Sequence, residues 1–385
     1  MKWEKIAFSE LVEFSPRVTL EKGELYDNIP MDVVDGGIKY VQEINQRLYT
    51  GGGAKFGNGD TIFARITPCL ENGKIAKVKD LEKGVGFGST EFFVFRAKEN
   101  ISDPDFIYYL SKTDIVRQPA IKSMVGASGR QRADKGVVEQ IKVPDIPLPT
   151  QRRIATILSA YDDLIENNLK RITLLEEKAF ASYKLIVKSE KLIGGKVGDL
   201  ADVKSGYAFK SRDWTEEGLP VIKIKNIGNN DIDITDCSFI PENIAEAANK
   251  FKLNSGDLLI AMTGATVGKI GMMPRTEISF YLNQRVGIFK PKVKNAELFL
   301  FCFFNEPTAK NAVESLASGA AQPNISSGQL ESIKLFYPRL ETLEEFGNSI
   351  KSDFELILNL KQQNTRLREA RDILLPKLMN GQIEV

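Results

Sequence analysis

One pattern constrains this chain more than any other: it is written twice. The stretch "VPDIPLPTQRRIATILSAYDDLIENNLKRITLLEEK" begins at Val143 and sets three prolines before a long run with helical periodicity. From Thr150 onward Ile154, Ile157/Leu158, Tyr161, Leu164/Ile165, Ile172, Leu175, Ala179, Tyr183 and Ile186 recur mostly every three or four residues. That spacing predicts a helix with one apolar stripe, capped by Thr150, with Pro147 and Pro149 held outside it. About 38 residues at ~1.5 Å each give a rod of roughly 55 Å, far beyond the usual three or four turns. An amphipathic helix can lie on its own domain's core, but this length argues for coiled-coil packing against another long helix.

The chain supplies one. The closing segment "LETLEEFGNSIKSDFELILNLKQQNTRLREARDILLPKLMNGQIEV" again follows a proline, Pro338, and again carries apolar residues at helical spacing. A shift of 193 puts Ile157 on Ile350, Tyr161 on Phe354, Leu164 on Ile357, Leu174 on Leu367 and Leu185 on Leu378. The match extends upstream. Gly59-Asp60 falls on Gly256-Asp257, Gly73-Lys74-Ile75 on Gly268-Lys269-Ile270, Ser128-Gly129 on Ser318-Gly319, and Ile141-Lys142 on Ile333-Lys334. Offsets that drift between 190 and 197 mark two copies differing by small loop insertions.

Each copy reads as mixed α and β. Strands are expected at Thr61 to Ile66, Glu91 to Ala97, Leu219 to Ile227, Asp257 to Met262 and Val286 to Pro291, where β-branched and aromatic residues are flanked by Gly, Asn or Pro. Short helices are expected in "PDFIYYLSKT" and "NAELFLFCFFN". The fold class is therefore α+β: two mixed α/β globules in tandem pseudo-repeat, joined by two long helices packing against each other as a coiled coil. The expected domains are 1–149, a first globule; 150–190, a central spacer helix; 191–340, a second globule; and 341–385, a C-terminal spacer helix.

Composition narrows the chemistry. Lys and Arg number 52 against 51 Asp and Glu, a net charge of +1, so any polyanion-binding surface must be local. The chain has no histidine, which removes the usual general base and the commonest metal ligand. Cys69, Cys237 and Cys302 lie far apart, with neither a disulfide framework nor a thiolate zinc pattern. The charged first thirty residues and the lack of an ~18-residue apolar run give no signal peptide and no membrane span, and a cytoplasmic location is expected.

Three nucleotide or methyl-transfer motifs fail on inspection. "GATVGKI" at Gly264 has three residues between its glycines where a phosphate loop needs four, and Ile270 stands where Ser or Thr would hold magnesium. "GVGFGS" at Gly84 lacks dinucleotide spacing and reads as a flexible turn before a strand. No Asn- or Asp-Pro-Pro-aromatic tetrapeptide occurs, as an amino-group DNA methyltransferase would need.

What remains are glycine-punctuated polar loops suited to phosphates and base edges. "SMVGASGRQRADKG" supplies Arg130, Gln131, Arg132 and Lys135. "KSGYAFKSRDW" supplies Lys204, Ser205, Tyr207, Lys210, Ser211 and Arg212. "YLNQRV" adds Gln284 and Arg285, and "SGAAQPNIS" adds Gln322 and Asn324. Each alone is an ordinary solvated loop; their recurrence in both halves favours a DNA-binding role. No catalytic, metal or cofactor site is expected in this chain. A protein-only coiled-coil adaptor and a lone nucleic-acid-modifying enzyme remain the alternatives.

"IPLPTQRRIATILSAYDDLIENN", the closing "LLPKLMNGQIEV", the paired Gly-Asp segments, "VKSGYAFKS" and the half-chain repeat together resemble the specificity subunits of type I restriction-modification systems, along essentially the whole chain. The resemblance implies that each globule is a target recognition domain docking in the major groove at one half of a split double-stranded DNA site. It implies that the two helices are an antiparallel spacer, the ruler between half-sites. It also implies that two modification (methyltransferase) subunits dock on those helices, binding S-adenosylmethionine, and that separate restriction (motor-nuclease) subunits use ATP. The first half reads "VEFSPRVTLEKGEL" where the second has "VKSGYAFKS", so the two half-sites are expected to differ.

Overall fold

A computed structural model describes residues 3–42, 44–228, 230–317 and 323–385. The chain forms two compact units, Met1–Asn167 with Asn364–Val385, and Asn168–Gln363. The Ser318-Gly319 half of one repeat match lies outside the described residues.

The first unit is built on a four-stranded antiparallel sheet in the order Val12–Phe14, Phe92–Ala97, Thr61–Ala64, Ile75–Lys77. Its two central strands, Phe92–Ala97 and Thr61–Ala64, have apolar runs without alternation because both faces are covered. Phe93 and Phe95 point into a core shared with the Pro104–Lys112 helix, while Phe92 and Val94 point into a separate core with Ile29 and Phe56. The Leu25–Ile29 and Val85–Gly88 strands pair in parallel inside a second sheet.

The second unit repeats this plan. Its sheet runs Ala201–Ser205, Val286–Pro291, Leu258–Ala261, Ile270–Met272, again all antiparallel. Register follows as well: Ile62 faces Val94 in the first sheet and Leu259 faces Ile288 in the second. Leu219–Ile222 and Tyr281–Leu282 pair in parallel, as Leu25–Ile29 and Val85–Gly88 do.

The paired Gly-Asp segments have a structural cause. Asp60 accepts the Gly57 backbone N–H at 2.7 Å and binds Arg96 on the neighbouring strand through two bonds of 2.7 Å. Asp257 accepts the Asn254 N–H at 2.7 Å and pairs with Lys290 at 3.3 Å. In both copies the glycine before it, Gly59 or Gly256, takes a positive φ, and the carboxylate then ties the turn to the central strand.

The long helices are Leu148–Ser189 and Leu340–Met379. In the first unit Ile154, Ala155 and Leu158 share a core with Leu375, Leu378 and Met379, and Asp162 pairs with Arg371. In the second, Ile172, Ala179 and Tyr183 share a core with Leu343, Phe346, Ile350 and Phe354, and Lys178 pairs with Asp353 at 2.9 Å. Early residues of one helix meet late residues of the other, so the pairing in each unit is antiparallel.

Three local expectations change. The central helix starts at Leu148, which places Pro149 in its first turn and Thr150 inside rather than at the cap. A first-turn N–H has no intrahelical partner to lose, so proline is tolerated there. The expected strand from Leu219 to Ile227 stops at Ile222 and is followed by a 3-10 turn at Ile224–Asn226, where Asn226 accepts the Lys223 N–H and donates to the Asp233 and Asp236 carbonyls. "GVGFGS" is not a turn before a strand; Val85–Gly88 is itself a strand. A Cβ on Gly86 would stand 2.7 Å from the Asp27 oxygen and one on Gly88 2.3 Å from the Ile29 oxygen, so close parallel pairing needs glycine there.

Candidate nucleic-acid interface

In the second unit "VKSGYAFKS" continues the Ala201–Ser205 strand off its sheet. Val203 is core, Lys204 is exposed, and the Ser205 hydroxyl lies 3.1 Å from that of Ser327. Gly206 runs against the 282–283 backbone so closely that a Cβ would lie 2.2 Å from the Leu282 oxygen. Tyr207 then donates its N–H to Leu282 O and accepts from Gln284 N–H, fixing the turn that carries Gln284 and Arg285. Asn283, 8% exposed, steadies the same turn by accepting the Arg285 N–H at 3.1 Å.

These segments open a cleft of about 470 Å³. Ser205, Gln284, Arg285 and Asn324 line it, with Thr263 and Ser327. Gln284, Arg285 and Asn324 are exposed, so a cation, two amides and hydroxyls face solvent together. The Thr263 hydroxyl is buried and finds no hydrogen-bond partner among the described residues. A donor-rich recess of this kind, open to solvent, suits base edges and phosphate oxygens.

The first unit has the same backbone frame at the same place. Arg65 N–H donates to Glu91 O at 2.9 Å, as Met262 N–H does to Arg285 O at 2.9 Å. Ala133 N–H donates to Arg65 O at 2.7 Å, as Ile325 N–H does to Met262 O at 2.9 Å. Thr67 N–H donates to Gln131 O at 3.0 Å, as Gly264 N–H does to Pro323 O at 2.9 Å. Glu91 therefore corresponds to Arg285, and Arg132 to Asn324; the latter two form the matching bridges to Ile66 and Thr263. The side chains on this shared frame differ. Arg132 donates through Nε and Nη2 to Glu91, at 2.7 Å for Nη2, and Arg65 is a second partner, donating through Nε at 3.3 Å. Hydrogen bonds from Arg132, then from Arg65, hold the Glu91 carboxyl below the usual carboxylate range.

The other sequence-predicted residues fall as follows. Arg130 is exposed at the tip of the turn linking Val125 to Arg132, where Gly126 and Gly129 take positive φ. Gln131 is half-buried, its carbonyl engaged by Thr67. Lys135 opens a short helix and pairs with Glu139 at 3.4 Å. Tyr207 packs its ring on Phe209 and Phe251, at 4.9 and 5.6 Å, so it shapes the turn more than it faces outward. Lys210 and Arg212 are exposed beside Asp213, which accepts the Lys210 N–H at 2.7 Å, and Ser211 is exposed between them. Gln322 lies outside the described residues. Sequence reasoning missed Glu91, Arg65, Thr263 and Ser327. The offset of 194 that takes Phe95 to Phe289 also takes Glu91 to Arg285, and that was the available signal.

Among the described residues no group of three or more His, Cys, Asp or Glu side chains is placed to hold a metal ion, and no helix is long and apolar enough to cross a membrane.

Residues 1–177 and 194–366 each match the type I restriction modification DNA specificity domain, so the family's pattern occurs twice, as the strand order does. The type I restriction enzyme MjaVIII specificity subunit of Methanocaldococcus jannaschii is 30% identical over 78% of this chain and 75% of its own length. The type I restriction enzyme EcoAI specificity subunit of Escherichia coli is 21% identical over 96% of this chain and 80% of its own. In fold, the chain is similar to the S subunit of a type I restriction-modification system from M. genitalium, with a TM-score of 0.55 at 18% identity over 98% of this chain and 95% of that one. With both halves matched and the duplicated plan found in its sheets, the chain belongs to the family of type I restriction-modification specificity subunits.

Proposed function

We propose that this chain is the DNA-recognition subunit of a type I restriction-modification complex and that it reads a bipartite, asymmetric site in double-stranded DNA, one half with each unit. The observation that carries this reading is a shared backbone frame holding different polar side chains: Arg285 and Asn324 in one copy, Glu91 and Arg132 in the other. A common scaffold with exchanged donors and acceptors is what two readers of different base sequences require, since base edges are told apart by their donor and acceptor patterns. The chain itself transfers no methyl group and cuts no DNA. It scaffolds two modification (methyltransferase) subunits on its long helices and recruits restriction subunits, and S-adenosylmethionine and ATP are bound by those partners.

The test is to sequence methylated adenines in cells carrying the chain with its modification subunits. Replacement of Leu200 to Tyr337 by the same segment of a related subunit should change one half of the methylated site and leave the other intact. A swap that scrambles both halves would count against independent reading. A chain that binds its protein partners while the complex shows no preferred DNA sequence would instead be a protein-only adaptor.

A further inference from the structure

Arg132 and Glu91 of the first unit form a bidentate pair at the position matching Asn324 and Arg285 of the second. Both Glu91 oxygens accept from Arg132, Oε2 also accepts from Arg65, and the Glu91 side chain is only 19% exposed. The carboxylate is therefore occupied and turned inward, and it is not itself available to a cytosine amino group. Arg132 is 45% exposed. Its Nε and Nη2 face the carboxylate and Nη1 takes no part in the pair. The end of the guanidinium is thus left to reach outward as a fork, with its orientation set in advance.

Base edge and phosphate are the two targets such a fork could serve, and Glu91 decides between them. A carboxylate 2.7 Å from Nη2 would repel an incoming phosphate and cancel most of the charge that draws it. It costs little for hydrogen bonds to a neutral base, and a fixed guanidinium has less rotamer freedom to lose on binding. The base edge that accepts two parallel N–H bonds in the major groove is guanine, through O6 and N7.

We infer that Arg132 is the guanine-reading residue of the first unit, that Glu91 is its positioning residue, and that in the second unit the reading cation stands at the Glu91 position itself, as Arg285 beside Asn324. This rests on the DNA-recognition function above and adds which residues set specificity and for which base. The halves differ at these positions because a charge has changed sign between them: a carboxylate that clamps an arginine in one, and in the other an arginine with no such clamp among the described residues.

The complex with its modification subunits is the system to test. Arg132→Lys keeps the charge but removes the fork; Glu91→Gln keeps the shape but removes the clamp. Each should admit other bases at the same single position of one half-site, with discrimination there falling roughly tenfold or more. The other half-site should stay intact, which also reports that the variant is folded. For Arg132→Lys, which keeps the charge, the dependence of affinity on salt should not move. Arg285→Lys should relax one position in the opposite half-site instead. An unchanged methylated site for Arg132→Lys would overturn the assignment, as would a uniform loss of affinity on all sequences after Arg132→Gln, with the salt slope shallower by roughly one, since that is a phosphate contact. Relaxation by Arg132→Lys without any by Glu91→Gln would remove Glu91 from the positioning role. A wild-type complex with no preferred sequence would defeat the function on which the inference rests, before any variant is made.

Discussion

Asp162 on the central helix and Arg371 on the terminal helix form an ion pair whose side chains are 1% and 2% exposed. Asp162 also accepts the Tyr109 hydroxyl at 2.5 Å, and Arg371 donates to the Gly37 carbonyl at 3.3 Å. The pair thereby ties both helices and two segments of the first globule together in one buried network. Removing one partner strands the other charge in a dry site. Arg371→Met should therefore cost about 3–5 kcal/mol, and the double change Asp162→Leu with Arg371→Met should recover part of that loss. Urea denaturation of the three proteins checks both values; a double variant no more stable than the single one would show that the stranded charge is not the cause.

The Gly-Asp turns should differ in strength between the copies. Asp60 is 1% exposed and receives three hydrogen bonds, two of them from Arg96, whereas Asp257 is 15% exposed and meets a lysine at 3.3 Å. Asp60→Asn should cost about 1–3 kcal/mol, and Asp257→Asn less than that. The order of the two losses in chemical denaturation is the measurement.

Acid should release the Arg132 segment. The Glu91 carboxyl lies below its ordinary value of 4.5 in the folded chain, so its pairing adds stability above about pH 4.5 and loses it as pH falls through the depressed folded value. Amides between Val125 and Arg132 should exchange faster in Glu91→Gln than in the wild type at pH 7, and the two proteins should converge as pH falls below the depressed folded value. A gap that persists unchanged in acid would mean that the carboxylate's charge is not what holds the segment.

Arg130 and Lys210 are exposed cations on polar loops of the two units, and Lys204 is an exposed cation on the Ala201–Ser205 strand. Neutralising any one of them that faces a phosphate should weaken binding to all sequences alike and make the salt dependence shallower by roughly one. Titrations of the complex at several salt concentrations read this directly. Three unchanged slopes would leave these loops merely solvated.

A matched insertion tests the ruler. Four residues added after Asn167 and four after Gln363, the points where each helix passes from one compact unit to the other, lengthen each helix by about 6 Å. At ~3.4 Å per base pair that amounts to one or two additional unread pairs. The bases read should stay the same and the gap between half-sites should grow, as sequencing of methylated sites would show. An active variant that keeps the original gap would rule out helix length as its determinant.

The sequence by itself determined the duplication, the two long helices and the two central strands of each four-stranded antiparallel sheet, because those depend on local patterns: an apolar stripe at helical spacing, β-branched runs bounded by glycine, a proline before each rod. It also carried Ser205, Gln284, Arg285 and Asn324, which the fold gathers in one cleft. Only the tertiary structure decided what glycines and prolines do where their meaning lies in a distant neighbour. Gly86 and Gly88 make a strand because the backbone at Asp27 and Ile29 comes too close for a Cβ, and Pro149 enters a helix because its turn is the first. Charge pairing was hidden for the same reason. Arg132 and Glu91 are 41 residues apart, and nothing in either stretch reveals that the sheet brings them together. Local periodicity writes the elements, whereas the chemistry of a reading surface arises from side chains that meet only after the strands have paired.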